Sequence, residues 1–473
     1  MQAMNYVSTR SQANSTATFE DVLLGGLARD GGLYVPTTWP GPRDPESLAG
    51  LDYAALAARV MAPYTAGCLD ENALLGHARS AYADFDHPAT APLVQLSSGL
   101  WLMELFHGPT LAFKDFALQL VGRLFDDVLA RRGEKLTIVG ATSGDTGSAA
   151  IEACRGRENL SIIILHPHGR VSEVQRRQMT TVGDMNVHNV AIDGTFDDCQ
   201  ALVKAMFNDL AFRDEMRLGA INSINWGRIV AQTVYYWYAG LALGAPHRPV
   251  AFSVPTGNFG NVFAGWAAMR SGLPVEKFMV ATNRNDILAR FFRSGAYEKG
   301  DVVSSVSPSM DIQVASNFER LLFDLFDETG ARVGALMDDL DTKGGFGLDA
   351  AQGAATRATF VGESVDDDRA LETIASTYRD TGILIDPHTA TGVAVAEGHS
   401  EQLRHDGVPV VCLATAHPAK FPDAVERATG VRPPLPAHLA DLYDRTEHVD
   451  RLPVDLQKVQ AFVRTHGAVG GTG

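Results

Sequence analysis

The chain has 473 residues, 45% of them apolar and 20% charged, with a formal net charge of −16 at pH 7. That length requires two or three packed lobes rather than one simple core, and the composition is that of a globular protein rather than a disordered one. The acidic balance argues against nucleic acid or an anionic membrane as the main partner, because both need basic patches, and it requires any anion site to be built locally.

Cys68, Cys154, Cys199 and Cys412 are far apart and form no CxxC pair, so reduced thiols are expected rather than disulfides or a zinc site. The N-terminus lacks the basic start and apolar run of a signal peptide. No stretch reaches the roughly 18 apolar residues that span a bilayer. The expectation is a soluble, cytoplasmic protein.

In chain order, the turn-rich stretch 31–50 separates a short N-terminal segment from two helices expected at 51–62 and 70–83. After Pro88 and Pro92 the pattern changes. Apolar runs at 136–139, 161–165, 185–192, 250–254, 278–281 and 410–413 read as buried strands, with amphipathic stretches at 172–181, 197–217 and 227–243 between them. Pro409 fits the start of the last strand, where a missing N–H does least harm. The alternation predicts an α/β chain with a mostly parallel sheet, or two of them, covered by helices. Residues 324–368, acidic and dotted with glycine, are expected to form a helical or looped insertion without a strand.

Ligands of such sheets sit beyond the carboxyl ends of the strands. Two strand ends there are followed by small-residue loops and then helices: Gly140-Ala141-Thr142-Ser143-Gly144-Asp145-Thr146-Gly147 and Pro255-Thr256-Gly257-Asn258-Phe259-Gly260-Asn261. Glycines let backbone amides approach a ligand, and a helix start offers free N–H donors to an anion. A single such loop fits a plain tight turn equally well; two in one chain favour a ligand. Neither is a GxxxxGK[ST] loop, and Ser143 lacks the GxSxG context of a nucleophile elbow. The HxH of His166 and His168 has no partner cluster, so no metal is expected.

The stretch 107–119, HGPTLAFKDFALQ, places Lys114 at the entrance of a helix whose apolar face runs through Phe116, Leu120, Leu124 and Val128. The positive end of the helix dipole and burial among Leu111, Phe113 and Phe116 both lower the proton affinity of an amine, as imine formation requires. Taken alone, this placement also fits a surface lysine preceding a helix. Thr415 emerges at the third strand end, where its hydroxyl suits a heteroaromatic nitrogen or a helix cap. Asn222, Asn225 and Arg228 open the helix at 227–243, and a guanidinium there matches phosphate geometry.

Together these residues resemble the threonine synthase family, in its long bacterial and fungal form, within the tryptophan-synthase-like fold of pyridoxal-phosphate (PLP) enzymes. The likeness runs from Tyr6-Val7-Ser8-Thr9-Arg10 and Asp30-Gly31-Gly32-Leu33-Tyr34-Val35-Pro36 to about Gly430. It includes HGPTLAFKDFALQ, TSGDTG, SINWGRI, PTGNFGN and LATAHPAKFP. The resemblance implies PLP fold type II, with two mostly parallel sheets, flanking helices and an N-terminal segment. It divides the chain into a threonine-synthase-type N-terminal domain at 1–90 and a catalytic region of two lobes at 91–473, the smaller lobe at about 135–244.

It further implies PLP carried on Lys114, the cofactor phosphate in the loop Gly257, Asn258, Phe259, Gly260 and Asn261, and Thr415 facing the pyridine nitrogen. Substrate contacts are implied at Thr142, Ser143, Asp145 and Thr146, and at Asn222, Asn225 and Arg228. The implied reaction turns O-phospho-L-homoserine and water into L-threonine and phosphate, the last step of threonine biosynthesis. One departure from the family pattern is Gly227, where alanine is expected.

The runner-up is another enzyme of the same fold, a threonine dehydratase or a cysteine-synthase-like protein. Those usually carry asparagine where Asp145 stands and lack the N-terminal segment. An NAD-dependent dehydrogenase is disfavoured because no GxGxxG follows a strand. A non-catalytic binding protein of PLP fold is disfavoured by the completeness of the site.

Overall fold

The apolar runs assemble into two sheets. The computed structural model describes residues 3–11, 15–41, 44–142, 144–326 and 329–468. Among these, one sheet orders Phe360–Ser364, Val275–Thr282, Val250–Pro255, Val410–Ala414, Leu100–Glu104 and Leu93–Ser97. Its pairs are parallel apart from the last two strands, which form an antiparallel edge. The other orders Asp450–Leu452, Val187–Ile192, Leu160–Pro167, Leu136–Ala141 and Leu218–Gly219, all parallel. Every residue of Leu160–Pro167, Val250–Pro255 and Val410–Ala414 is buried, because helices cover both faces. Such strands read as unbroken apolar runs rather than alternating ones. The carbonyl of Pro409 accepts from Ala251 N–H at 2.9 Å, so the proline joins the sheet through the group it retains.

Three expectations are corrected. The acidic stretch at 324–368 contains two strands, the short Gly345–Gly347, paired antiparallel with Ala296–Glu298, and Phe360–Ser364, paired with Phe278–Thr282. The sequence of the second is disguised by Gly362, where a Cβ would lie 2.9 Å from the Cα of Ala289 on the covering helix Ile287–Ser294. The strand expected from 185 begins at Val187, and Met185 stands exposed in the preceding turn. The helix expected over 197–217 is two helices, Phe196–Asn208 and Leu210–Glu215. Asp209 ends the first and caps the second by accepting from Phe212 N–H.

The expected helices near the N-terminus are Tyr53–Met61 and Glu71–Tyr82, capped by Asp52 and Asp70. They pack with Lys114–Arg132 and Trp226–Ala242 around Tyr53, Tyr82, Phe85 and Phe116, whose rings meet edge to face. The first residues also reach the centre of the chain. Arg10 forms a two-pronged ion pair with Glu319 at 2.7 and 2.9 Å, and the neighbouring Arg320, wholly buried, donates to the carbonyls of Tyr34 and Ile224. The latter carbonyl lies just before the helix that carries Arg228. Of the four cysteines, all free, Cys68 is partly exposed and the other three are buried.

Candidate active site

Three strand ends converge as the sequence suggests. The segment after Val410–Ala414 runs antiparallel to the segment before Lys114. Phe113 N–H donates to Thr415 O at 2.9 Å and His417 N–H to Leu111 O at 3.0 Å, flanking a bridge between Ala112 and Ala416. Leu111 is held at φ 63°, an uncommon conformation for a non-glycine residue, and is fully buried. The Asp115 carboxylate holds the turn from within, accepting from Thr110 N–H and Oγ1 at 2.8 and 2.7 Å. Burial pushes that carboxyl up to about 6 against the pull of the Thr110 bonds.

Lys114 is the first residue of its helix and is 9% exposed. Its Nζ stands 3.4 Å from Asp145 Oδ2 and over the Phe113 ring. Burial lowers its proton affinity; Asp145 opposes this, and Lys420 and Arg228 add to it.

Asp145 opens the helix Asp145–Cys154. Its Oδ1 receives Lys420 Nζ at 2.8 Å and Gln175 Nε2 at 2.7 Å, while Oδ2 faces Lys114 and Ser309 Oγ, the latter at 3.3 Å. Burial would raise this carboxylate, but Lys420 and Lys114 outweigh it and hold it well below its ordinary range. Gly144 turns the chain into this helix at φ 152°, where a Cβ would strike Gln175 at 2.5 Å. Thr142 Oγ1 faces inward and accepts from the N–H groups of Gly144 and Gly147 at 3.0 and 2.9 Å, stabilising the loop itself. Thr146 is partly exposed and its hydroxyl has no protein partner among the described residues. Ser143 lies outside the described residues.

In the loop after Val250–Pro255, Phe259 adopts φ 61° at the start of the helix Gly260–Arg270, and its ring packs on Phe292 and Phe318. The ring is an anchor; the backbone is the part presented. Asn258 O accepts from Asn317 N–H and Nδ2. Asn261 Oδ1 receives the hydroxyls of Tyr235 and Tyr236 at 2.6 and 3.0 Å, leaving its buried Nδ2 without a partner among the described residues. Among the described residues no side chain caps the helices that start at Lys114, Asp145 and Gly260.

The stretch at 222–228 abuts this loop: Asn317 Nδ2 lies 3.1 Å from both Ser223 O and Asn258 O. Asn222 is exposed and closes a turn on Ile224 N–H. The Asn225 amide is engaged at both ends, accepting from Gly227 N–H and donating to Leu23 O, so it holds the helix start rather than facing the site. At Gly227 a Cβ would sit 2.7 Å from Leu23 Cδ1, so a larger residue there requires the Leu23 side chain to shift. Arg228 is 3% exposed, and Nη1 donates to Ile221 O at 3.2 Å. Its Nε has no partner, and no carboxylate lies in ion-pair reach among the described residues. Burial pulls it down to about 10. Thr415 is 6% exposed, its N–H donating to Thr389 Oγ1 and its hydroxyl unpartnered within the described residues.

Family comparison agrees with this architecture. Family models match at 5–82 (threonine synthase N terminus), 86–340 (pyridoxal-phosphate dependent enzyme) and 389–463 (threonine synthase, C-terminal). A threonine synthase from Pseudomonas aeruginosa is 56% identical over 470 residues, 99% of each chain. The chain belongs to the threonine synthase family. The PLP-bound threonine synthase from Brucella melitensis superposes with a TM-score of 0.95 at 51% identity, over 98% of this chain and 100% of that one. The yeast threonine synthase gives 0.93 at 39% identity, over 98% and 99%. Membership over the whole chain makes this a PLP-dependent enzyme of fold type II acting on a small molecule, and the dehydratase-like and cysteine-synthase-like readings are not favoured. The residues fit the cofactor: an amine of lowered basicity, uncapped helix starts, and buried donors on Asn261 and Arg228 that lack acceptors. Among the described residues no helix is long and apolar enough to cross a membrane, and no group of His, Cys, Asp or Glu could hold a metal ion.

Lys420, Gln175, Ser309 and the pair Asp386–His388 also surround Asp145, although the sequence alone does not single them out. His388 Nδ1 lies 2.7 Å from Asp386 Oδ2, and its Nε2 lies 3.1 Å from the Ser309 backbone nitrogen. The signal available for Lys420 was its place five residues after Thr415, in LATAHPAKFP.

Proposed function

We propose that this enzyme converts O-phospho-L-homoserine and water into L-threonine and phosphate. The supporting observation is Arg228, a buried guanidinium without a carboxylate partner among the described residues, close enough to Lys114 to depress its proton affinity. An unpaired buried cation is costly, so its retention suits a site that takes an anion. The substrate phosphate is such an anion. In the reaction the γ-carbon–oxygen bond breaks and its electron pair leaves on phosphate. A proton passes in net terms from the β- to the γ-carbon, water adds its hydroxyl at the β-carbon, and its other proton goes to phosphate.

PLP, when bound, supplies the electron sink that lets protons leave the carbons of the amino acid. Lys114 carries the cofactor and, once free, moves the α-proton through Nζ, a role suited to its lowered basicity. The backbone of Gly257, Asn258, Phe259, Gly260 and Asn261, with the unpartnered Asn261 amide, holds the cofactor phosphate at an uncapped helix start. Thr146, the N–H groups around Asp145 and Arg228 receive the anionic ends of the substrate, and Asn225 fixes the helix start on which Arg228 stands. The test is phosphate release and threonine formation from O-phospho-L-homoserine by the purified enzyme. Absence of both overturns the proposal.

Two substitutions probe the cofactor contacts. A Cβ at Gly257 would lie 2.8 Å from Ser309 O, so a larger side chain must displace either the turn carrying Ser309 or the loop itself. Gly257→Leu is expected to lose most bound PLP and to unfold at a somewhat lower temperature; normal PLP content, read by absorbance, refutes the loop's role. Thr415→Ala is expected to retain PLP while turnover falls, by about tenfold for a lost hydrogen bond of about 1.4 kcal/mol. Unchanged kcat and unchanged spectra under substrate would remove Thr415 from the site.

A further inference from the structure

Asp145 is shared between two buried amines, and only one of them has a part in the chemistry derived above. Lys420 is wholly buried in the turn Pro418–Lys420. Its Nζ donates to Thr110 O at 2.7 Å and meets Asp145 Oδ1 at 2.8 Å. It thus ties three parts of the site together: the turn leading to Lys114, the helix start at Asp145, and the strand end bearing Thr415. We propose that Lys420 is a positioning residue for the reaction, gripping one oxygen of Asp145 so that only the other faces Lys114.

The geometry of the carboxylate supports this. Oδ1 is saturated by Lys420 and Gln175, at 2.8 and 2.7 Å, whereas the contacts of Oδ2 with Lys114 and Ser309 are longer, at 3.4 and 3.3 Å. Asp145 therefore binds Lys420 tightly and Lys114 loosely. A carboxylate left to Lys114 alone would close on it and hold it as ammonium, unable to accept a proton. With Lys420 in place the carboxylate stays charged, orients Nζ of Lys114, and leaves it a base. Among the described residues, the other charged or titratable groups facing these side chains are Arg228 from the helix Trp226–Ala242, His388, and Asp115, whose carboxylate accepts from Thr110 N–H while Lys420 donates to the Thr110 carbonyl; Gln175 and Ser309 are uncharged. Lys420 and Arg228 both lower the proton affinity of Lys114, so loss of Lys420 moves it upward.

The proposal rests on Lys114 as the cofactor-bearing amine, but its primary readout needs no substrate and survives an error in the substrate assignment. It is the pH titration of visible absorption in the PLP-loaded enzyme, which reports the proton on the nitrogen joining Lys114 to the cofactor. In Lys420→Met the midpoint is expected to rise by about one unit or more, the usual effect of one nearby charge. Lys420→Gln, which keeps a donor for Thr110 O, is expected to shift the same way and serves if the methionine variant does not fold. Lys420→Arg is expected to restore the midpoint to within a few tenths of a unit. With O-phospho-L-homoserine, the acid limb of kcat should move with the midpoint while KM changes less. Neutral variants that are less stable yet keep the wild-type midpoint would show a purely structural lysine and overturn the proposal. An arginine variant shifted as far as the neutral ones would do the same.

Discussion

Lys114→Ala is expected to yield a folded protein without the visible absorption of the covalently held cofactor and with turnover reduced at least about 10³-fold. The substitution removes the covalent anchor and the acid–base group together, and a positioned proton-transfer group alone contributes roughly 10² to 10⁴ in rate. Folding should survive. The amine makes one long contact, 3.4 Å to Asp145, and that carboxylate keeps Lys420 and Gln175. Removing Lys114 also removes a buried amine that the structure holds below its ordinary proton affinity. Absorption spectra, kcat and thermal unfolding, measured on the same preparation, decide it. A variant that keeps substantial turnover without added amine ends the assignment of Lys114.

What could be read from the sequence was whatever is local. The helix from Lys114 announces itself by the spacing of Phe116, Leu120, Leu124 and Val128, and all four are fully or almost fully buried. The two glycine-containing loops announce themselves as runs of small residues after buried strands; at Gly144 both φ and the approach of Gln175 demand glycine. What could not be read is set by tertiary approach. Lys420 looks like any loop lysine until the strand end packs it, wholly buried, against Thr110 and Asp145. Asn225 and Arg228 have equal claims on an anion in the sequence, yet Leu23, some 200 positions away, takes the amide of Asn225 and leaves Arg228 unpaired. The strand Phe360–Ser364 was hidden for the same reason, since its glycine is explained only by the helix lying over it. The role of the N-terminal motifs was legible only by resemblance. In the structure Arg10 and Tyr34 grip Glu319 and Arg320, and the adjacent Asn317 braces Asn258.

Selectivity for a phosphorylated substrate should have a single guanidinium at its centre. The wild-type enzyme is expected to act on O-phospho-L-homoserine and to be almost inactive on homoserine. Hydroxide is a poor leaving group, and without phosphate the remote binding that orients the γ-carbon is lost. Arg228→Ala should lose charge-assisted hydrogen bonds worth about 1.5–3 kcal/mol each. At about 1.4 kcal/mol per factor of ten, that is a fall in kcat/KM of at least roughly tenfold. The setting of Arg228 adds a second expectation of opposite sign. Its Nε is buried without a partner and no described carboxylate neutralises it, so it costs the ligand-free fold stability. Arg228→Met, which keeps the aliphatic bulk, should therefore leave the unfolding temperature unchanged or raise it while activity falls. Because Ser223 abuts the loop at Asn258 through Asn317, cofactor content must be measured alongside. Retained PLP with reduced kcat/KM places the guanidinium on the substrate, whereas PLP loss assigns it to the cofactor phosphate. A variant that loses stability yet keeps full kcat/KM shows instead that the arginine serves the fold, and comparable wild-type rates on homoserine overturn the substrate itself.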